Sequence, residues 1–294
     1  MYRRYLEQCV AEDDPIRVGI IGAGKFGAGV VAQLSQMQGI EASLIADLDL
    51  GRARYAYTAS SVAEDDICEV SSMGAAEQAI LEGRPAVTQD GLMLTRCDLV
   101  DVVVESTGIP PVGARMAYSA ITHHKHVIMV NVEADVTIGP ILSSLAHSAG
   151  VVYTLVDGDQ PGSTMNMVEW AKTLGFEIVA AGRGTIFYDD DRIGTPETVP
   201  QRYGFDEETL VRRTINLKMY NSFRDGSKAQ LEMTALANMA GLVPDVRGMH
   251  EPSVNLRDIP VQFSLKQEGG LLSQHGVVEL ANSIGPDGKT MLPD

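Results

Sequence analysis

The first chemistry legible in the chain is a glycine loop. Gly22-Ala23-Gly24-Lys25-Phe26-Gly27 forms a GxGxxG directly after the β-branched run Ile16–Ile21 and at the head of a helical pattern. Each glycine has a mechanical reason. The first permits a tight turn, the second lets bare backbone approach a pyrophosphate, and the third lets helix and strand pack closely. The unpaired N–H groups and positive dipole end of the helix then face the phosphates. Lys25 and Phe26 stand inside this loop. Asp47 ends the next strand-like run, where a carboxylate would accept from ribose hydroxyls. The pattern predicts dinucleotide binding. Asp47 disfavours a 2′-phosphate, whereas Arg52, a few residues on, offers one a counter-charge, so NAD and NADP both stay open.

Glu105, Thr107 and Gly108 close a Val-rich strand. In a doubly wound sheet that position lines the crevice for the nicotinamide half of the coenzyme, although Thr and Gly are also common strand-end turn residues. Hydride transfer needs a group that protonates or polarises the substrate oxygen. Lys228 near the start of a predicted helix is the candidate, with Glu232 one turn on along the same face. Asp159 is a third catalytic candidate and equally an N-cap. Asp157, Asp159, Glu232 and Glu133 could together hold a divalent cation, Mg or Mn, although their spacing follows no stereotyped metal loop. Substrate contacts are expected from Asn131 and Glu133, which follow the fifth strand, and from Asn221, Ser222 and Arg224, where a guanidinium fork would grip phosphate or carboxylate. Asn131 could equally form a turn, and the Asn221–Arg224 group could equally serve loop hydrogen bonding. His123, His124 and His126 lie at a helix end and read as structural. Asp189-Asp190-Asp191 reads as a solvated loop.

These residues need elements to hold them. Strand-like runs at Ile16–Ile21, Ile40–Ala46, Leu99–Val104, His126–Val130 and Val151–Val156 alternate with helical patterns at Lys25–Gln38, Ala75–Leu81, Val112–Thr122 and Ile138–Ser148. Such alternation predicts a parallel sheet with right-handed crossovers. After Gly158 the pattern weakens: helix at Met165–Leu174, strand at Glu177–Ala181, no period over Gly182–Gly204, and helix at Asp225–Ala240. The expectation is an α/β protein: a Rossmann doubly wound parallel sheet over residues 1–156, then a second α+β substrate and dimerisation domain over 157–294.

The chain has 294 residues, about two domains at roughly 150 residues each. With 23 Lys and Arg against 39 Asp and Glu, its formal charge is −16, which argues against nucleic acid and against an anionic membrane surface as partners. No apolar run approaches the length of a membrane span, and the basic N-terminus is followed by no secretory apolar region. Three scattered cysteines suggest a reducing compartment, so a cytoplasmic protein with a small-molecule substrate is expected.

The runs Val130-Asn131-Val132-Glu133-Ala134-Asp135, Asp157-Gly158-Asp159-Gln160-Pro161 and Ser222-Phe223-Arg224-Asp225-Gly226-Ser227-Lys228 resemble the homoserine-dehydrogenase-like oxidoreductases that often carry a C-terminal SAF domain. The nearest branch is the 1-deoxy-D-xylulose 5-phosphate reductoisomerase-like enzymes, whose product feeds isoprenoid biosynthesis. The resemblance spans nearly the whole chain. It implies NAD(P)-dependent chemistry, a homo-oligomer (dimer) built on the substrate domain, and Lys228 in the family's Asp-Gly-Ser/Thr-Lys motif. A reductoisomerase of this type implies a divalent cation as well. Related members act as sugar-acid oxidoisomerases, and homoserine or aldehyde dehydrogenase activity is a further alternative. A non-catalytic dinucleotide sensor is the alternative of another class. Two departures stand out. The SAF-like region that family members carry further on is expected to be absent here. The lysine that homoserine dehydrogenases carry after the fifth strand is also missing, since Val130–Glu133 holds none.

Overall fold

The computed structural model describes residues 2–213, 215–285 and 288–291. The chain forms two compact units, Met1–Val156 and Asp157–Asp294.

In the first unit a helix α1 (Tyr2–Glu12) precedes a βα series: β1 (Ile16–Ile21), α2 (Lys25–Leu34), β2 (Ile40–Ala46), α3 (Leu50–Thr58), β3 (Cys68–Glu69), α4 (Met73–Leu81), β4 (Ala86–Thr88), α5 (Gly91–Arg96), β5 (Val102–Glu105), α6 (Pro110–Thr122), β6 (His126–Met129), α7 (Val132–Ala149) and β7 (Tyr153–Leu155). Seven strands pair in the order β3-β4-β2-β1-β5-β6-β7, all parallel. The central strands read as continuous apolar runs because helices cover both faces. Val18, Ile20, Ile45, Val87 and Val104 pack with Val31 and Leu34 of α2 in one core cluster. Each such fully buried branched side chain contributes about 1.5–3 kcal/mol. The chain leaves β1 toward β2 on one side and later returns to β5 on the other. That reversal opens a crevice at the carboxyl ends of β1 and β5.

Among the boundaries that differ from the periodic reading, two helix starts have clear local reasons. Helix α7 starts at Val132 instead of Ile138, because the Asn131 side chain accepts the Ala134 N–H at 3.2 Å and caps it. It then continues through Pro140 to Gly150, which closes it at φ +72°. Helix α8 (Gln160–Thr173) starts five residues before the apolar period does, since Asp159 caps it and Pro161 preorganises its first turn.

The second unit holds α8, β8 (Ala180–Thr185), α9 (Val199–Tyr203), α10 (Glu207–Arg213), α11 (Leu217–Arg224), α12 (Ser227–Ala240), β9 (Val243–Pro244), α13 (Ile259–Gln262) and β10 (Val277–Asn282). Three parallel strands lie in the order β8-β10-β9. Val168 of α8 and Met233 and Leu236 of α12 pack on Val278 and Leu280 of β10. The strand expected at Glu177–Ala181 is displaced to Ala180–Thr185, a sequence of small residues pinned by pairing with β10 rather than by its own apolar pattern. Among the described residues no helix is long and apolar enough to cross a membrane.

Candidate coenzyme and substrate sites

The turn after β1 is built as the glycine spacing requires. Gly22 has φ +94°, and a Cβ there would stand 2.9 Å from the Ser106 carbonyl. Gly24 is the N-cap of α2, has no side-chain cap, and faces open space. A Cβ on Gly27 would lie 2.1 Å from the Gly22 carbonyl oxygen, so only glycine lets α2 seat on the loop. The Asp47 carboxylate holds the same loop from β2: Oδ2 accepts the Ala23 N–H at 2.7 Å and Oδ1 the Asp49 N–H at 2.8 Å. Each oxygen keeps a lone pair for a further donor.

A cavity of about 520 Å³ opens here, lined by Gly22, Gly24, Asp47, Arg52, Ser106 and Thr107, among others. Its residues fit a dinucleotide: uncapped helix amides stand at one point and a carboxylate at the end of the second strand. Arg52 is exposed and pairs with Asp49 at 3.4 Å. Lys25, Phe26 and Gly27 belong to α2 and do not line the cavity, and Gly108 is exposed with φ +67°.

Glu105 is a correction to the sequence reading. Its side chain is fully buried, so it does not face the crevice. It accepts instead from the Thr107 backbone N–H at 3.1 Å and from the Thr107 hydroxyl. Burial pushes its carboxyl above the ordinary range, against the lowering effect of the Thr107 donors and the neighbouring Asn131 amide. Asn131 is likewise buried and serves as the α7 cap rather than as a substrate contact. Glu133 is half-buried in the first turn of α7. Sequence reasoning missed Ser106, whose hydroxyl donates to the Gly22 carbonyl at 2.7 Å and ties the β5 end to the glycine loop. Its place between two chosen residues was the available signal.

In the second unit, Asp159 and Lys228 stand at the N-terminal ends of α8 and α12. Asp159 accepts the Gly162 N–H at 2.8 Å, its capping role. Burial raises its carboxyl; the Gly162 N–H and the Lys228 charge pull it back, and Asp157 pushes it up again. The Asp159 carboxyl and the Lys228 ammonium therefore form one electrostatic pair. Glu232 does not complete that group. It is buried and ion-paired with Arg183 of β8, a partner to which no local spacing pointed. Asp157 accepts from the Asn166 amide at 2.9 Å. Among the described residues no three His, Cys, Asp or Glu side chains come together to hold a metal, so the expected cation set does not assemble.

The expected substrate grip at 221–224 is also spent locally. The buried Asn221 amide donates to the Gly194 carbonyl at 3.2 Å and to Asp225 at 2.8 Å, and the Ser222 hydroxyl donates to the Met219 carbonyl at 2.7 Å. Arg224 lies over the Tyr203 and Tyr220 rings, at 5.2 and 5.6 Å. The acidic loop divides: Asp189 and Asp190 are exposed, whereas Asp191 is buried and accepts from Arg202 at 2.9 Å and from the Tyr203 hydroxyl at 2.5 Å. Burial and that carboxylate push the Tyr203 phenol up to about 12. The three histidines each meet a backbone group. His123 Nδ1 lies 2.7 Å from the Ser119 carbonyl, His124 Nδ1 lies 3.3 Å from the Ala149 carbonyl, and His126 Nδ1 accepts the Val152 N–H at 2.9 Å.

Residues 22–155 match the family described as "Homoserine dehydrogenase, NAD binding domain". Residues 158–289 match "Oxidoreductase DRL, catalytic domain". The crevice above and these matches agree on the fold: a Rossmann domain followed by a second α/β domain, with similarity to an NAD-binding domain in the first and to an oxidoreductase catalytic domain in the second. The particular combination is thus one region similar to the homoserine dehydrogenase NAD binding domain, followed by one similar to the DRL oxidoreductase catalytic domain.

Solved structures are similar at low identity. An NAD binding oxidoreductase from Klebsiella pneumoniae shares 18% identity over 64% of this chain and 47% of its own, with a TM-score of 0.43. An oxidoreductase from Agrobacterium radiobacter in complex with NAD+, L-tartaric acid and magnesium shares 14% over 64% and 47%, with a TM-score of 0.42. Homoserine dehydrogenase from S. aureus shares 19% over 48% and 32%, with a TM-score of 0.35. The chain thus spans less than half the length of each. No curated protein matches the chain in sequence.

Proposed function

We propose that the protein transfers hydride between a nicotinamide coenzyme bound in the β1/β5 crevice and a small polar hydroxy- or oxo-substrate served by Lys228 and Asp159. The observation that carries this reading is the Gly24 N-cap, bare of side chains, beside a cavity of about 520 Å³ that Asp47 also lines. The coenzyme supplies or accepts the hydride. The chain's own part is to hold it and to manage the proton. In the reductive direction Lys228 donates a proton to the substrate oxygen as the carbonyl carbon gains hydride, and in the oxidative direction it takes that proton back. Asp159, paired electrostatically with Lys228, keeps the ammonium placed.

Within this class we favour a 1-deoxy-D-xylulose 5-phosphate reductoisomerase-like activity. The support is the Asp-Gly-Ser-Lys run ending at Lys228 and the DRL catalytic match over the second unit. The skeletal rearrangement of such an enzyme would precede the hydride step. Asp157, Asp159 and Glu232, three of the four donors suggested for a divalent cation, are engaged elsewhere. NAD is favoured over NADP, since Asp47 lines the crevice and Arg52 is paired with Asp49. A cytoplasmic homodimer is part of this reading, and the three free cysteines fit a reducing compartment.

The deciding experiment is coenzyme oxidation against sugar phosphates, hydroxy-oxo acids and aldehydes, with and without Mg²⁺ or Mn²⁺. Turnover of a phosphorylated ketose selects the reductoisomerase. Turnover of a sugar acid or of homoserine selects those alternatives. Tight coenzyme binding with no turnover, unchanged by Lys228→Ala, would make the protein a sensor. In an enzyme that substitution lowers kcat by orders of magnitude while coenzyme affinity stays.

A further inference from the structure

Glu105 ends β5 with no exposed surface, and its donors and neighbours are unusually constrained. Oε1 receives both the backbone N–H and the hydroxyl of Thr107. Oε2 is sealed among α6 and the β6–α7 junction. A Cβ on Gly113 would stand 2.7 Å from Oε2 and 2.8 Å from the Asn131 amide nitrogen. Neither Oε2 nor that nitrogen completes a hydrogen bond among the described residues. Glycine at 113 is therefore what leaves room for a carboxylate there. Burying one is costly, and burial raises its pKa. A glutamine would fill the same volume without that cost.

What the carboxylate does that an amide would not is fix a proton. A carboxylate only accepts, so the Thr107 hydroxyl must donate to it. The same hydroxyl receives the Ile109 N–H at 3.3 Å. Its single proton is thus spent, one lone pair is used, and one lone pair remains on a residue that lines the crevice.

We infer that Glu105 is a positioning residue that makes Thr107 Oγ1 an obligate acceptor, so that the crevice selects a coenzyme presenting an N–H or O–H donor at this point. The inference rests on the proposed coenzyme reading. In that reading the β5 side of the crevice takes the nicotinamide nucleoside. The donors available there are the carboxamide NH2 and a ribose hydroxyl.

Calorimetric titration distinguishes them. The probes are the parent dinucleotide, its 3-acetylpyridine analogue, which has a methyl in place of the amide NH2, and an analogue with 2′-deoxyribose on the nicotinamide side. Wild type should bind the parent about five- to tenfold more tightly than whichever analogue lacks the donor, the worth of one neutral hydrogen bond. Thr107→Ser should keep that preference and Thr107→Val should lose it. Glu105→Ala should lose it as well, because the hydroxyl then has no fixed acceptor and its proton is free to turn toward the coenzyme. If Glu105→Ala unfolds, the Thr107 pair carries the test alone. Equal binding of parent and both analogues by wild type would overturn the inference, as would a preference that survives in Thr107→Val. No saturable binding of NAD or NADP by wild type would overturn the coenzyme reading itself, and this inference with it.

Discussion

Replacing Gly27 with alanine should uncouple helix α2 from the glycine loop, and its neighbour on the same helix supplies the control. The added Cβ would sit 2.1 Å from the Gly22 carbonyl oxygen and 3.2 Å from its carbon, backbone atoms that no rotamer can move. Ordinary contact between carbon and oxygen requires a separation of over 3 Å, so helix and loop must part by about 1 Å. Gly29 lies on the exposed side of α2, where a Cβ would meet nothing within 4 Å. Gly29→Ala should therefore gain up to about 1 kcal/mol from helix propensity and a less flexible unfolded chain. Gly27→Ala receives the same gain but pays overpacking of about 1–3 kcal/mol, for a net loss of up to about 2 kcal/mol. Its larger effect falls on binding. Amides displaced by about 1 Å lose one hydrogen bond to a charged phosphate, worth about 1.5–3 kcal/mol, or about ten- to a hundredfold in Kd. Thermal unfolding and calorimetric titration with NADH on the two variants measure both quantities. A Gly27→Ala protein as stable as Gly29→Ala, with unchanged NADH affinity, would refute the close-approach argument.

Asp47→Ala should weaken NAD binding and narrow the preference over NADP, because it removes the carboxylate that repels a 2′-phosphate; coenzyme titrations read both, and an unchanged ratio would contradict the assignment. It should also lower stability, since the Ala23 N–H loses its partner. Asp191→Ala should cost about 3 kcal/mol, the low end for breaking a buried pair because Arg202 is partly exposed; denaturant unfolding checks it. Glu105 gives a pH signature. Its folded-state pKa lies above the ordinary 4.5, so the folded protein holds this proton longer than the unfolded chain does. Its contribution to stability is full below about 4.5 and is lost as pH rises through the raised folded value, with a slope of at most about 1.4 kcal/mol per pH unit. Glu105→Gln should flatten that segment of the stability profile, and an identical slope in both proteins would contradict it.

Local sequence determined a good deal. Apolar runs at Ile16–Ile21 and Ile40–Ala46 became β1 and β2 with the same bounds, because a strand buried on both faces writes its environment into consecutive residues. The glycine loop was legible for the same reason: its requirements lie within six residues, and Asp47 follows at a spacing set by one βα unit. Tertiary structure decided the fate of the polar candidates. Whether Glu105 lines a crevice or lies beneath it depends on Gly113, eight residues along and on another element. Whether Glu232 joins Lys228 or turns to Arg183 depends on a strand 49 residues away. Asn131, Asn221 and Asp191 went to capping, loop closure and a buried ion pair because a buried polar group must take whichever partner the fold brings within reach. Periodicity reports which side of an element meets the core, but it carries no information about which distant donor arrives there.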